Sequence, residues 1–166
     1  MTIIREDCLR LAQDVLKACK AFELKVATAE SCTGGMIAAF LTDVPGSSAS
    51  VDRGFVTYSN EAKTEMLDVP ADLIAADGAV SESVARAMAE GVLAHSHADI
   101  SVSVTGIAGP GGGSPEKPVG LVHMASARRG RETVHEEHRF EGNRDTVRQQ
   151  AAAAALRLML LNTKEN

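Results

Sequence analysis

The chain has 166 residues, with 17 lysines and arginines against 22 aspartates and glutamates, for a net charge of -5. That length suits one domain with a substantial core, and an acidic balance without a basic block argues against nucleic acid as a partner. One tyrosine, four phenylalanines and no tryptophan give no stacking platform for single strands, and no apolar run approaches the ~18 residues of a membrane span.

Residues 6–22 carry Leu9, Ala12, Val15, Leu16 and Cys19 on one stripe of a helix. A short strand is expected over 24–27 and a helix over 36–41. Between them, 28–35 (TAESCTGG) sets Ser31, Cys32, Thr33 and two glycines at a strand-to-helix junction. A helix start offers unpaired N–H groups and partial positive charge, which suits an oxyanion or a phosphate. Residues 45–48 (PGSS) form a turn, and 51–59 a β-rich run that ends near Tyr58. Asn60 reads as the cap of a helix running through Lys63 to Leu67. A loop at Asp77 and Gly78 leads to Ser81, the expected cap of a helix over 82–94, where Val84, Met88 and Val92 recur every fourth position.

Residues 100–104 alternate apolar side chains with serines, the pattern of a strand. Residues 105–118 form a loop holding five of the 14 glycines. Two strands over 119–127 and 133–140 meet at Arg129 and Gly130, and Asn143 starts an alanine-rich helix to about Leu161. Early alternation of strands and helices with a late hairpin predicts one α/β/α layered domain over 1–166 with a mixed sheet. Three cysteines, Cys8, Cys19 and Cys32, stand at no metal-ligand spacing; free thiols and a cytoplasmic protein are the expectation.

Ser31 reads either as a helix cap or as a nucleophile. Its neighbours Ala29 and Thr33 exclude a G-x-S-x-G elbow, and Gly34 excludes S-x-x-K, so any base must come from elsewhere in the chain. Cys32 is a rival nucleophile if the helix start activates its thiol, and a packing residue otherwise. Tyr58, at a strand end, would present its hydroxyl at the rim of the sheet. Lys63 falls in the first turn of its helix, where the dipole lowers an amine's pKa as a general base requires; the alternative is a solvated surface lysine. The glycine loop lacks the spacing of a P-loop or of G-x-G-x-x-G, and serves either as an anion nest or as a connector. Arg144 and Arg148, one turn apart, would clamp an anion or line a solvated face. His135 and His138 point to opposite faces of their strand, so no metal site is expected.

In order along the chain stand TAESCTGG at 28–35, LTDVPGSS at 41–48, GFVTYSNEAK at 54–63, GAVS at 78–81, TGIAGPGGG at 105–113 and KPVG at 117–120. Together they resemble the CinA C-terminal domain family over about residues 5–161. That resemblance implies hydrolysis of nicotinamide mononucleotide to nicotinic acid mononucleotide and ammonia, with neither cofactor nor metal. It implies Ser31 as nucleophile with Tyr58 and Lys63 as partners: the lysine would move the proton and the tyrosine relay or orient it. Oxyanion donors are expected around Thr33, Gly34 and Gly35. The phosphate is expected on the glycine loop, with Arg144 a further candidate, and Glu30, Thr105, Gly106, Gly109, Gly111 and Gly112 complete the expected substrate contacts.

The resemblance also implies a homodimer. Some relatives carry an N-terminal domain resembling molybdopterin-binding proteins, which this chain is expected to lack. The family tends toward Gly-Asp-Arg where this chain has Gly142, Asn143 and Arg144; the asparagine still permits a cap. A non-catalytic nucleotide-binding module and an amidase for another small amide are the competing readings.

Overall fold

The computed structural model describes residues 3–164. A five-stranded sheet runs β2 (Val51–Val56), β1 (Val26–Glu30), β3 (Ile100–Gly106), β4 (Leu121–Ser126), β5 (Val134–Arg139). The first three are parallel to one another and β4 runs antiparallel to both of its neighbours, so the sheet is mixed, as the element order implied. One face packs on α1 (Ile3–Ala21), α2 (Met36–Thr42) and α6 (Arg144–Asn162). The other packs on α3 (Asn60–Leu67), α4 (Ala71–Asp77) and α5 (Glu82–Ala94). The domain is therefore an α/β/α sandwich. No helix among the described residues is long and apolar enough to cross a membrane.

The serine alternation in β3 marks a second buried face instead of a solvated one. Ile100, Val102 and Val104 enter the α1–α6 core. On the opposite face, the Ser101 hydroxyl donates to the Ala89 carbonyl at 2.7 Å and the Ser103 hydroxyl to that of Ala85 at 2.6 Å. The Thr105 hydroxyl continues the row, donating to the Ala79 carbonyl at 2.9 Å. Ala85 and Ala89 are fully buried and small, so α5 approaches β3 closely enough for hydroxyl-to-backbone bonds. Each contributes about 1 kcal/mol net, and an unpaired buried hydroxyl would cost more than that.

The caps at Ser81 and Asn143 form as expected, accepting from the Val84 and Thr146 N–H groups. Three local expectations differ. Ser59, not Asn60, caps α3 through the Ala62 N–H at 3.0 Å. Helix α4 was not foreseen, because Pro70 at its start supplies no side-chain cap. Strand β1 runs on to Glu30, three residues past its expected end, so the first part of TAESCTGG is strand.

Candidate active site

The parallel strands β1, β2 and β3 end together, with Glu30 opposite both Val56 and Val104. The crevice beyond the carboxyl ends of parallel strands is where α/β folds place ligands. The chain leaving β1 builds the first wall. Glu30 is fully buried, and its two carboxylate oxygens accept the N–H groups of Ile37 at 2.8 Å and Ala38 at 3.0 Å. This strand carboxylate therefore satisfies the start of α2, and Gly35, at the cap position with φ 104°, makes no side-chain cap. Gly34 and Gly35 both hold positive φ, a conformation open to glycine at little cost, and this lets the turn fold back over the strand end.

The consequence falls on Ser31. Its N–H donates to the Val104 carbonyl at 3.0 Å, but its hydroxyl caps nothing. Instead, Ser31 Oγ accepts from Lys63 Nζ at 3.0 Å and lies 3.4 Å from the Tyr58 carbonyl, to which it donates. Glu30, expected to touch substrate, is corrected to a helix anchor, since both its oxygens are spent on backbone. Gly34 is corrected in the same way: its N–H is taken by the Ser31 carbonyl at 3.0 Å. Among the described residues the N–H groups of Thr33 and Gly35 have no acceptor, and that of Cys32 has only its own sulfur.

The chain leaving β2 builds the second wall. Lys63 is 1 % exposed, which removes the reading as a solvated lysine. Its ammonium end donates to the carbonyls of Thr57 at 2.9 Å, Tyr58 at 3.3 Å and Ser59 at 3.5 Å as well as to Ser31. Burial pushes this amine below its ordinary value of 10.5. The direction agrees with the helix-start argument, but desolvation is the cause. Cys32 moves the other way: burial pushes its thiol up to about 12, with the Glu30 carboxylate adding to the rise, so the helix start does not activate it.

Tyr58 takes part through its main chain. Its carbonyl meets both Ser31 and Lys63, while its ring is 60 % exposed and its hydroxyl accepts from Arg144 Nη2 at 3.2 Å. The hydroxyl makes no bond to either member of the pair, so a relay between them is not what the geometry provides. Arg144 also donates from Nη1 to the Gly109 carbonyl at 2.7 Å. Arg148 points elsewhere, holding the carbonyls of Cys32 and Thr33 at 3.1 and 3.2 Å. The two arginines thus divide the work, one on the glycine loop and one on the nucleophile turn.

These walls enclose a cavity of about 270 Å³ that joins Ser31, Cys32, Tyr58, Lys63 and Arg144 to the loop residues Thr105, Gly106, Gly109, Gly111 and Gly112. The Thr105 hydroxyl is already donated to Ala79. Sequence reasoning missed Asn60, Ala79, Val80, Ile107 and Ala108 as lining residues. The GAVS segment contained the signal for Ala79 and Val80, but apolar side chains announce no chemistry. A wider groove of about 400 Å³ lies between α3 and α4, but among the described residues no hydrogen bond there pairs the Thr64 hydroxyl with Glu61 or Glu65, so the smaller cavity, with its Ser31–Lys63 bond, is the candidate site. His135 stacks on His123 and His138 bonds Glu136, on opposite faces of β5. The described residues bring no three metal-ligating side chains together.

Residues 9–163 match the model of the CinA C-terminal domain. Nicotinamide-nucleotide amidohydrolase PncC of Escherichia coli K12 is 50% identical over 153 residues, which are 92% of this chain and 93% of the relative. A CinA-like protein of Akkermansia muciniphila is 55% identical over 134 residues, 81% of this chain, and the match spans only 32% of that longer relative. The crystal structure of competence/damage inducible protein CihA from Agrobacterium tumefaciens superposes with a TM-score of 0.94 at 47% identity, covering 99% of this chain and 100% of that one.

Proposed function

The chain belongs to the CinA C-terminal domain family, and from that premise we propose that it is a serine amidohydrolase acting on nicotinamide mononucleotide. The observation that carries this reading is the 3.0 Å bond between Lys63 Nζ and Ser31 Oγ, with the amine buried and its pKa lowered. Half-identity to PncC along nearly its whole length supplies the substrate class.

The neutral form of Lys63 takes the Ser31 proton as Oγ attacks the carboxamide carbon. The carbonyl oxygen gains the negative charge, and the N–H group of Cys32, which lines the cavity, is the donor that stabilises it. Lys63 then returns the proton to the departing nitrogen as the C–N bond breaks, which releases ammonia and leaves the acyl group on Ser31 as an ester. Water attacks that ester with its proton passing to Lys63, and the acid is released as Ser31 recovers its hydrogen. The substrate phosphate falls to the backbone N–H groups of the glycine loop and to Arg144.

Three buried free thiols favour a reducing compartment, so the reading includes a cytoplasmic enzyme. Two-fold dimers are the commonest closed oligomers, and a homodimer is included on that ground. The test is ammonia release from nicotinamide mononucleotide by the wild type, Ser31→Ala and Cys32→Ala. The serine variant is expected to lose on the order of 10³-fold or more in kcat while still binding nucleotide. Near wild-type turnover in Ser31→Ala, or loss only in Cys32→Ala, overturns the assignment.

A further inference from the structure

Tyr58 is the only tyrosine, and its ring, 60 % exposed, belongs to none of the buried apolar clusters. Its two polar ends are nonetheless fixed. The main-chain carbonyl meets Ser31 and Lys63, and the hydroxyl meets Arg144. The ring therefore lies along the line from the reacting serine to the guanidinium. A substrate with its carboxamide at Ser31 and its phosphate at Arg144 must lie along that ring.

The charges of the cavity point the same way. Among the described residues no aspartate or glutamate lines it; its ionisable side chains are Lys63, Arg144, Cys32 and Tyr58. A pyridinium ring entering this space finds no carboxylate to balance its charge. The face of an aromatic ring attracts a cation through its quadrupole, and Tyr58 supplies the one such face in the lining. Its oxygen, meanwhile, accepts from a permanent cation on the side away from the Ser31–Lys63 pair.

We propose that the Tyr58 ring is the surface on which the substrate's cationic pyridinium lies, and that its phenol positions Arg144 without carrying a proton of the reaction. This rests on the amidohydrolase reading above. Tyr58 is then a specificity residue for charged-ring amides, contributing to the reaction itself only through its main-chain carbonyl.

The experiment compares wild type, Tyr58→Phe and Tyr58→Leu in steady-state kinetics on nicotinamide mononucleotide. Reduced nicotinamide mononucleotide, whose ring is neutral, serves as a competing ligand. Tyr58→Phe keeps the face, so kcat stays within about twofold with an unchanged pH profile, and KM rises by about fivefold or less as Arg144 loses a partner. Tyr58→Leu loses the face, so KM rises about tenfold at a kcat within about fivefold, and the preference for the charged over the neutral ring shrinks in the same measure. A merely structural role would not move that preference.

A kcat loss of about a hundredfold in Tyr58→Phe, the size of a lost proton carrier, overturns the proposal. So does an unchanged KM in Tyr58→Leu. Should the wild type release no ammonia, the amidohydrolase reading fails separately and calorimetry with nicotinamide mononucleotide decides. Weaker binding by about tenfold in Tyr58→Leu supports the ring's role, whereas equal binding, or none in the wild type, overturns it. Both variants should melt with the wild type, since the ring is exposed.

Discussion

Two junctions leave neighbouring parallel strands at the same end of the sheet, β1 into α2 and β2 into α3, and each carries a serine beside the helix start. Their caps differ. At the second, Ser59 caps α3 in the ordinary way, and the carbonyls of Thr57, Tyr58 and Ser59 turn inward onto Lys63. At the first, the cap comes from behind: Glu30 reaches from the strand to the α2 N–H groups. That releases Ser31 to face the lysine. A serine beside a helix is structural or reactive according to who else satisfies the helix, and here a buried carboxylate decides it.

Lys63→Met should break the comparison most severely. Removing the base is expected to lower kcat by on the order of 10³-fold, measured as ammonia release. Stability should stay within about 2 kcal/mol of the wild type, because the desolvated amine is removed while the buried Thr57 carbonyl loses its donor. Burial depresses the folded amine below 10.5. The neutral amine is the base, so activity rises with pH through that depressed value. The sign for folding follows from the same shift. Below the folded pKa the native state bears the full cost of a buried ammonium, and stability climbs as pH rises from there toward 10.5. Urea unfolding across that window should show the climb in the wild type and lose it in Lys63→Met; a climb that persists in the variant would assign it to another group.

Glu30→Gln tests the cap at the first junction. The amide sets an N–H₂ group against a backbone donor and leaves one buried N–H unpaired, so a loss of about 2 kcal/mol is expected in thermal unfolding. Unchanged stability with a raised KM would return Glu30 to the substrate. Ser59→Ala sharpens the contrast. Losing a true cap should cost about 1 kcal/mol, whereas Ser31→Ala, which removes no cap, should leave stability within about 0.5 kcal/mol. A comparable loss in Ser31→Ala would restore the capping reading. The smallest effect belongs to Thr57→Val. The Thr57 hydroxyl is buried without a partner while its carbonyl holds Lys63. Stability is expected to be unchanged or to gain about 1 kcal/mol at near wild-type kcat; a marked loss of activity would show that this hydroxyl has work in the site.

Legibility followed the range of each signal. The α1 stripe, the Ser81 and Asn143 caps and the β4–β5 hairpin each depend on residues a few positions apart, and each formed near its expected place. Helix α4 begins at Pro70 without a capping side chain, so its start left no local mark. In β3, alternation identified the strand but said nothing of where its serine face goes, because only the approach of α5 turns serines into buried donors. The i, i+4 spacing of Arg144 and Arg148 suggested a shared anion, yet their partners lie on two different loops.

By itself the sequence determined the order of strands and helices, the mixed sheet and the segments that carry the chemistry. These follow from periodicity, capping and turn residues, which act over a few residues. Only the tertiary structure decided which serine caps a helix, which lysine is buried, and which end of Tyr58 faces the reaction. Those answers depend on a hydroxyl and an amine 32 residues apart meeting at 3.0 Å. Desolvation, which alters the chemistry of the pair, is a property of the packed neighbourhood and not of the chain on either side.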